Sequence, residues 1–198
     1  MLRTKHFALV MMVGMAALAA CRGGPGSGDS AKPVDAGRMR GAEAEAGQWL
    51  MDGRTYSAQR YSPLKAINES NVSQLGLAWY ADLDTMRGVE GTPLFIDGVI
   101  YNISAWNITT AYDARTGREL WTYDPKVPRE WGRYACCEPV ARGLAFWNGK
   151  VIIATLDGRL LGLDARQGTP LWEVRTFDDS APWSITGAPR VFDGLVVV

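Results

Sequence analysis

The chain has 198 residues, with 21 lysines and arginines balanced by 21 aspartates and glutamates. That balance contains no basic run or stripe, so nucleic acid is an unlikely class of partner on charge alone. Eight tryptophans, 22 glycines and many short apolar runs bounded by Gly, Asp and Pro point to a mostly β chain.

Residues 1–20 read as a signal peptide. Arg3, Lys5 and His6 are followed by an uncharged apolar run, Phe7 to Ala20, too short to span a bilayer comfortably. The run ends in Leu18-Ala19-Ala20-Cys21, which resembles a bacterial lipobox and predicts lipidation of Cys21. An ordinary signal peptide cut near Ala20 is the alternative. Either reading takes the protein out of the cytoplasm, and the lipobox predicts a membrane-anchored lipoprotein of the periplasm. Residues 21–40 are rich in Gly, Ser and Pro and read as a flexible tether. The folded part is expected over residues 41–198.

An internal repeat organises that part. Tyr112-Asp113-Ala114-Arg115-Thr116-Gly117-Arg118-Glu119-Leu120-Trp121 aligns without gaps with the run from Leu163 to Trp172, at a spacing of 51 residues. Each copy predicts strand, tight turn and strand, with Gly117 and Gly168 supplying positive φ. Asp97-Gly98, Asn148-Gly149 and Asp193-Gly194 each sit between apolar alternations, the strongest local hairpin signal. One unit is therefore two hairpins in about fifty residues, the size of a propeller blade. Trp121 and Trp172 occupy the same blade position, where a large ring can wedge between sheets. Leu77-Ala78-Trp79-Tyr80 reads as the last strand of a further unit, closing the ring by pairing with the final blade. The fold class is an all-β propeller of which about two and a half blades are present. Residues 195–198 form a hairpin strand whose partner is expected further on, so the sequence reads as the N-terminal part of a longer propeller.

Cys136 and Cys137 are adjacent. Consecutive Cα atoms lie about 3.8 Å apart, closer than an ordinary disulfide prefers, yet a bond between neighbours would make a compact, stiff, apolar ledge for a flat molecule. Two unbridged cysteines are the alternative, whereas metal ligation lacks a second Cys or His cluster. There is no C-x-x-C-H, hence no c-type haem motif in these residues. Four Asn-x-Ser/Thr matches, at Asn68, Asn71, Asn102 and Asn107, are coincidental in a lipobox protein.

The run from Gly132 to Ala145, GRYACCEPVARGLA, resembles the disulfide-containing segment of quinoprotein alcohol dehydrogenases, which use pyrroloquinoline quinone (PQQ). The repeats ending in Trp121 and Trp172 resemble that family's tryptophan-docking motifs. Trp49 with the run from Gly53 to Leu64, and Ser184-Ile185-Thr186-Gly187-Ala188-Pro189, fit the same family. The resemblance covers Gly41 to Val198. It implies an eight-bladed propeller in the full-length protein, and oxidation of small alcohols to aldehydes with electrons passed to a cytochrome c. It also assigns cofactor-binding roles by position. Cys136 and Cys137 would form a disulfide beneath one face of PQQ, Glu90 would hydrogen-bond the cofactor, Arg142 would pair with a carboxylate or quinone oxygen, and Thr186 would hydrogen-bond a carboxylate. Glu138 stands where the family pattern leads one to expect Asp, and little is expected to follow from it. The ligands for Ca²⁺ (or a lanthanide), the catalytic base and any haem c domain are expected beyond Val198, so no catalytic or metal residue is assigned here and these residues alone should be inactive. A non-enzymatic propeller lipoprotein, scaffolding outer-membrane assembly, shares the leader and blades but has no need of the vicinal cysteines or of the Glu90 and Arg142 spacing. A dehydrogenase for aldoses or polyols is the second rival.

Overall fold

A computed structural model describes residues Lys32–Val198 apart from Cys136, Asp179 and Ala181. The leader and Cys21, expected to be lipidated, lie outside the described residues. Two four-stranded antiparallel sheets and one hairpin follow each other along the chain. The first sheet comprises β1 (Leu94–Ile96), β2 (Val99–Ile103), β3 (Thr109–Asp113) and β4 (Glu119–Tyr123), and the second β5 (Ala145–Trp147), β6 (Lys150–Ala154), β7 (Arg159–Asp164) and β8 (Pro170–Arg175). The hairpin is β9 (Arg190–Phe192) with β10 (Leu195–Val197). In both sheets spatial order equals chain order. This is the meander of a propeller blade, two complete and a third begun.

The turns explain why the repeat folds this way. Asp97 and Gly98, Asn148 and Gly149, and Asp193 and Gly194 all have positive φ. Paired left-handed residues make the type I′ turn, whose twist matches that of the strands it joins. In the second hairpin of each blade, Oδ1 of Asp113 accepts from the amides of Arg115 and Thr116, and Oδ1 of Asp164 from those of Arg166 and Gln167. Gly117 and Gly168 then close the turns at φ 73° and 70°.

Burial follows the stacking of sheets. In β6, Val151, Ile152, Ile153 and Ala154 are all buried, so both faces are covered, which a continuous apolar run requires. The outer strand β8 is largely exposed. Tryptophans join neighbours. The Trp121 indole N–H donates to Ala165 O at 3.0 Å in the next blade, and its ring lies so close to Gly168 that a Cβ there would stand 2.5 Å from the ring. Trp79 repeats the arrangement one blade earlier, donating to Ala114 O at 2.9 Å over Gly117. Trp172 sits beside its sheet partner Gly162, where a Cβ would meet the ring at 2.2 Å.

One sequence expectation is left without its partner strand and another is corrected. Leu77-Ala78-Trp79-Tyr80 docks through Trp79 but is not a strand. None of the described strands runs alongside it to form a ladder, and Leu77 and Tyr80 remain exposed. The folded part also begins before residue 41, because Lys32–Arg40 is a packed strap rather than tether. Asp35 caps α1 (Ala36–Arg40), its side chain accepting from Arg38 N at 2.9 Å, and Val34 and Met39 are buried. The strap reaches the first turn of each of the three described units. Arg38 forks onto both oxygens of Asp97 at 2.8 and 2.6 Å and also pairs with Glu45. Val34 O accepts from Asn148 N at 3.0 Å, and Arg40 pairs with Asp193. Two buried apolar residues and two arginines offset the ordering entropy that a Gly/Ser/Pro-rich composition alone does not.

Candidate functional site

At the end of the inner strands opposite those turns, the leads into successive blades come together. Thr92 and Gly143 form a parallel bridge. Thr92 N donates to Arg142 O at 3.1 Å, and Arg142 N donates to Thr186 O at 2.9 Å. The backbone is thus handed from one blade lead to the next. Only small residues allow so close an approach. A Cβ on Gly91 would stand 2.4 Å from Ile103 O, and one on Gly143 would stand 2.9 Å from the Ala188 methyl.

This lacing brings three of the expected residues into one group. Arg142 Nε lies 3.2 Å from Glu90 Oε2, and Arg142 Nη1 donates to Thr186 Oγ1 at 2.6 Å. Glu90 and Arg142 side chains are 44% and 46% exposed, so the cluster opens to solvent and can meet a ligand. Arg142 holds both neighbours and keeps further N–H groups for an incoming acceptor. A guanidinium is permanently charged and suits bidentate contact with carboxylates.

The loop between β4 and β5 carries a second feature, a cleft that Glu90, Arg142 and Thr186 do not line. Cys137 is exposed and lines a cleft of about 650 Å³ with Arg87, Trp106, Arg129 and Glu138. Cys136, and with it the expected disulfide, lies outside the described residues. Glu138 has a role that the sequence did not reveal. Its Oε2 accepts from Gly88 N at 2.8 Å, so it ties the cysteine loop to the strand lead that carries Glu90.

Trp106 and Asn107 were also missed. Both have positive φ, 63° and 60°, without a glycine to announce it. Asn107 is fully buried, donating through Nδ2 to Ala154 O at 3.0 Å and accepting from Leu156 N at 3.0 Å. The signal that existed was an Asn, the residue most tolerant of left-handed backbone after Gly. In the sequence its Asn-x-Thr pattern stands only as a coincidental glycosylation match.

The family model "PQQ: Glucose/ethanol/alcohol dehydrogenase, beta-propeller domain" matches residues 49–180. The quinohemoprotein alcohol dehydrogenase ADH IIB of Pseudomonas putida is 49% identical over 197 residues, covering 100% of this chain and 27% of that protein. The 1-butanol dehydrogenase (cytochrome c) of Thauera butanivorans is 50% identical over 156 residues, covering 78% and 23%. Among solved structures, quinohemoprotein alcohol dehydrogenase ADHIIG of Pseudomonas putida HK5 superimposes with a TM-score of 0.82 at 49% identity, covering 85% of this chain and 25% of that one. The quinohemoprotein alcohol dehydrogenase of Comamonas testosteroni gives 0.79 at 45%, covering 82% and 24%. The chain therefore spans about a quarter of the length of the curated relatives it matches.

Proposed function

Because this chain belongs to the family of PQQ-dependent glucose, ethanol and alcohol dehydrogenase β-propellers, we propose that its Glu90, Arg142 and Thr186 hold one rim of pyrroloquinoline quinone in an enzyme that oxidises alcohols to aldehydes. The observation that carries this reading is the meeting of Glu90, Arg142 and Thr186, drawn from three blade leads, on one guanidinium. The cofactor is flat and carries three carboxylates. The donor set fits it. Arg142 offers charge-assisted N–H groups, Thr186 offers a hydroxyl already oriented by Arg142, and Glu90 fixes the guanidinium plane. The cleft lined by Cys137 and Trp106 is proposed as a wall, and Cys136 with Cys137 as the floor.

When bound, pyrroloquinoline quinone would supply the two-electron oxidation of the alcohol, with a cytochrome c as the proposed acceptor. This chain's residues bind and orient. Arg142 neutralises acidic groups at the rim, Thr186 donates or accepts a single hydrogen bond, and Glu138 keeps the loop wall in register with the Glu90 lead. The Lewis acid (Ca²⁺ or a lanthanide), the proton-accepting base and any haem c domain are assigned to the remainder of the protein. Placement in the periplasm through a lipidated Cys21 completes the proposal. The names of the relatives from Pseudomonas putida and Thauera butanivorans, which speak of haem and cytochrome c, support such an acceptor. An outer-membrane assembly scaffold gives no reason for Glu90, Arg142 and Thr186 to meet.

The test is titration of the complete apoprotein with PQQ and Ca²⁺, followed by absorbance. The wild type should bind. Arg142→Ala should bind roughly 10- to 100-fold more weakly, the worth of one hydrogen bond to a charged group. Failure of the wild type to take up PQQ overturns the assignment, and an Arg142→Ala variant with unchanged affinity removes Arg142 from the rim.

A further inference from the structure

We propose that Trp106 is a positioning residue that holds the Cys137 loop in place against the cofactor, an inference that rests on the function proposed above. Among its described residues the loop between β4 and β5 contains no strand, only the isolated bridge at Gly143, so no ladder fixes Cys137. Yet the residue it presents, Cys137, must sit accurately if it is to form a wall or floor for a rigid planar ligand. Something else must hold it.

Trp106 grips the loop at both ends. On the far side of Cys137, Trp106 N donates to Pro139 O at 2.8 Å. On the near side, the Arg129 guanidinium lies 4.3 Å above the indole ring. Next to it, Gly132 passes so close to the ring edge that a Cβ there would stand 2.8 Å from Cη2. The same indole lines the cleft with Cys137. A tryptophan that merely filled core would face apolar neighbours. This one faces an arginine, a loop backbone and an open cleft.

The grip is anchored from behind. Trp106 lies in the left-handed region at φ 63° and ψ 20°, which costs an aromatic residue energy and persists only where surroundings impose it. Asn107 imposes it. Its buried amide is bonded at both ends to the neighbouring blade, at Ala154 O and Leu156 N. The path runs from the rigid second sheet through Asn107 to Trp106, and from there to the loop on either side of Cys137.

The test uses the complete protein as apoenzyme, with two readouts, thermal unfolding without cofactor and the dissociation constant for PQQ in the presence of Ca²⁺. Trp106→Ala should raise that constant at least about tenfold, the expected loss when a preorganised wall is freed. Trp106→Phe, which keeps a ring over the loop, should stay within about threefold of the wild type. Gly132→Ala, which pushes a methyl group into the ring from the loop side, should weaken binding while leaving Trp106 in place. A merely structural role would lower the unfolding temperature of Trp106→Ala and leave the dissociation constant unmoved. Wild-type affinity in a folded Trp106→Ala overturns the proposal, and Gly132→Ala decides alone if Trp106→Ala does not fold. A wild type that binds no PQQ removes the function itself, and this inference with it, a result distinguishable from binding that simply ignores Trp106.

Discussion

The contact between Trp121 and Gly168 can be tested as a pair. Trp121 is 8% exposed, and its indole N–H donates to Ala165 O across the blade boundary. Truncation to alanine should cost about 3–5 kcal/mol for the lost packing and the cavity, and about 1 kcal/mol more for the hydrogen bond. Gly168→Ala meets two obstacles. Its φ of 70° costs a non-glycine residue about 1–2 kcal/mol, and a methyl group 2.5 Å from the ring adds about 1–3 kcal/mol of overpacking. In the double variant the ring is gone, so only the backbone cost of Gly168→Ala remains. The two changes should therefore be less than additive by about 1–3 kcal/mol. Urea unfolding of the complete protein, followed by fluorescence for the wild type and three variants, measures this coupling. Strictly additive costs would show that the ring does not rest on Gly168, and the account of blade docking would be wrong.

Two further outcomes follow from groups away from the site. Arg38→Ala should cost about 2–3 kcal/mol in thermal or urea unfolding, less than for a fully buried ion pair because Glu45 and Asp97 remain 31% and 30% exposed. An unchanged unfolding temperature would mean that the strap carries no stability. Tyr101 is packed between Trp121 and Phe146, and burial, with Asp97 adding to it, pushes its hydroxyl up to about 12. The folded value lies above the unfolded value of about 10, so the neutral form favours folding. That stability is whole below pH 10 and is lost on rising towards pH 12, by roughly 2–3 kcal/mol. Alkaline unfolding of Tyr101→Phe should lack this share of the pH dependence, and an identical slope in both proteins would contradict the burial of Tyr101.

What the sequence revealed was mostly local. Asp-Gly and Asn-Gly turns need only two residues to specify positive φ, and Asp113 and Asp164 cap their own turns, so the blade pattern was legible. The grouping of Arg142 with Thr186 was not, since the two are 44 residues apart and nothing near either one points to the other. Resemblance to a family supplied their roles, and the structure supplied their contact. Glu138 looked like a conservative departure until its carboxylate was found on Gly88 N. Trp106 left no trace because its left-handed backbone is imposed by Asn107 and the neighbouring blade rather than by a local glycine. The strap was obscured by averaging, since two buried apolar residues, Val34 and Met39, were diluted among glycine, serine and proline.

The strap also fixes an order of events. Its Arg38 binds a tip 59 residues later in the chain and its Arg40 a tip 153 residues later. During synthesis these residues emerge before either partner, which does not exist until the corresponding hairpin has been made and turned. Each sheet, by contrast, is a meander of neighbours and can zip as it appears. The strap therefore completes its contacts only after the third hairpin has formed, long after its own residues were made.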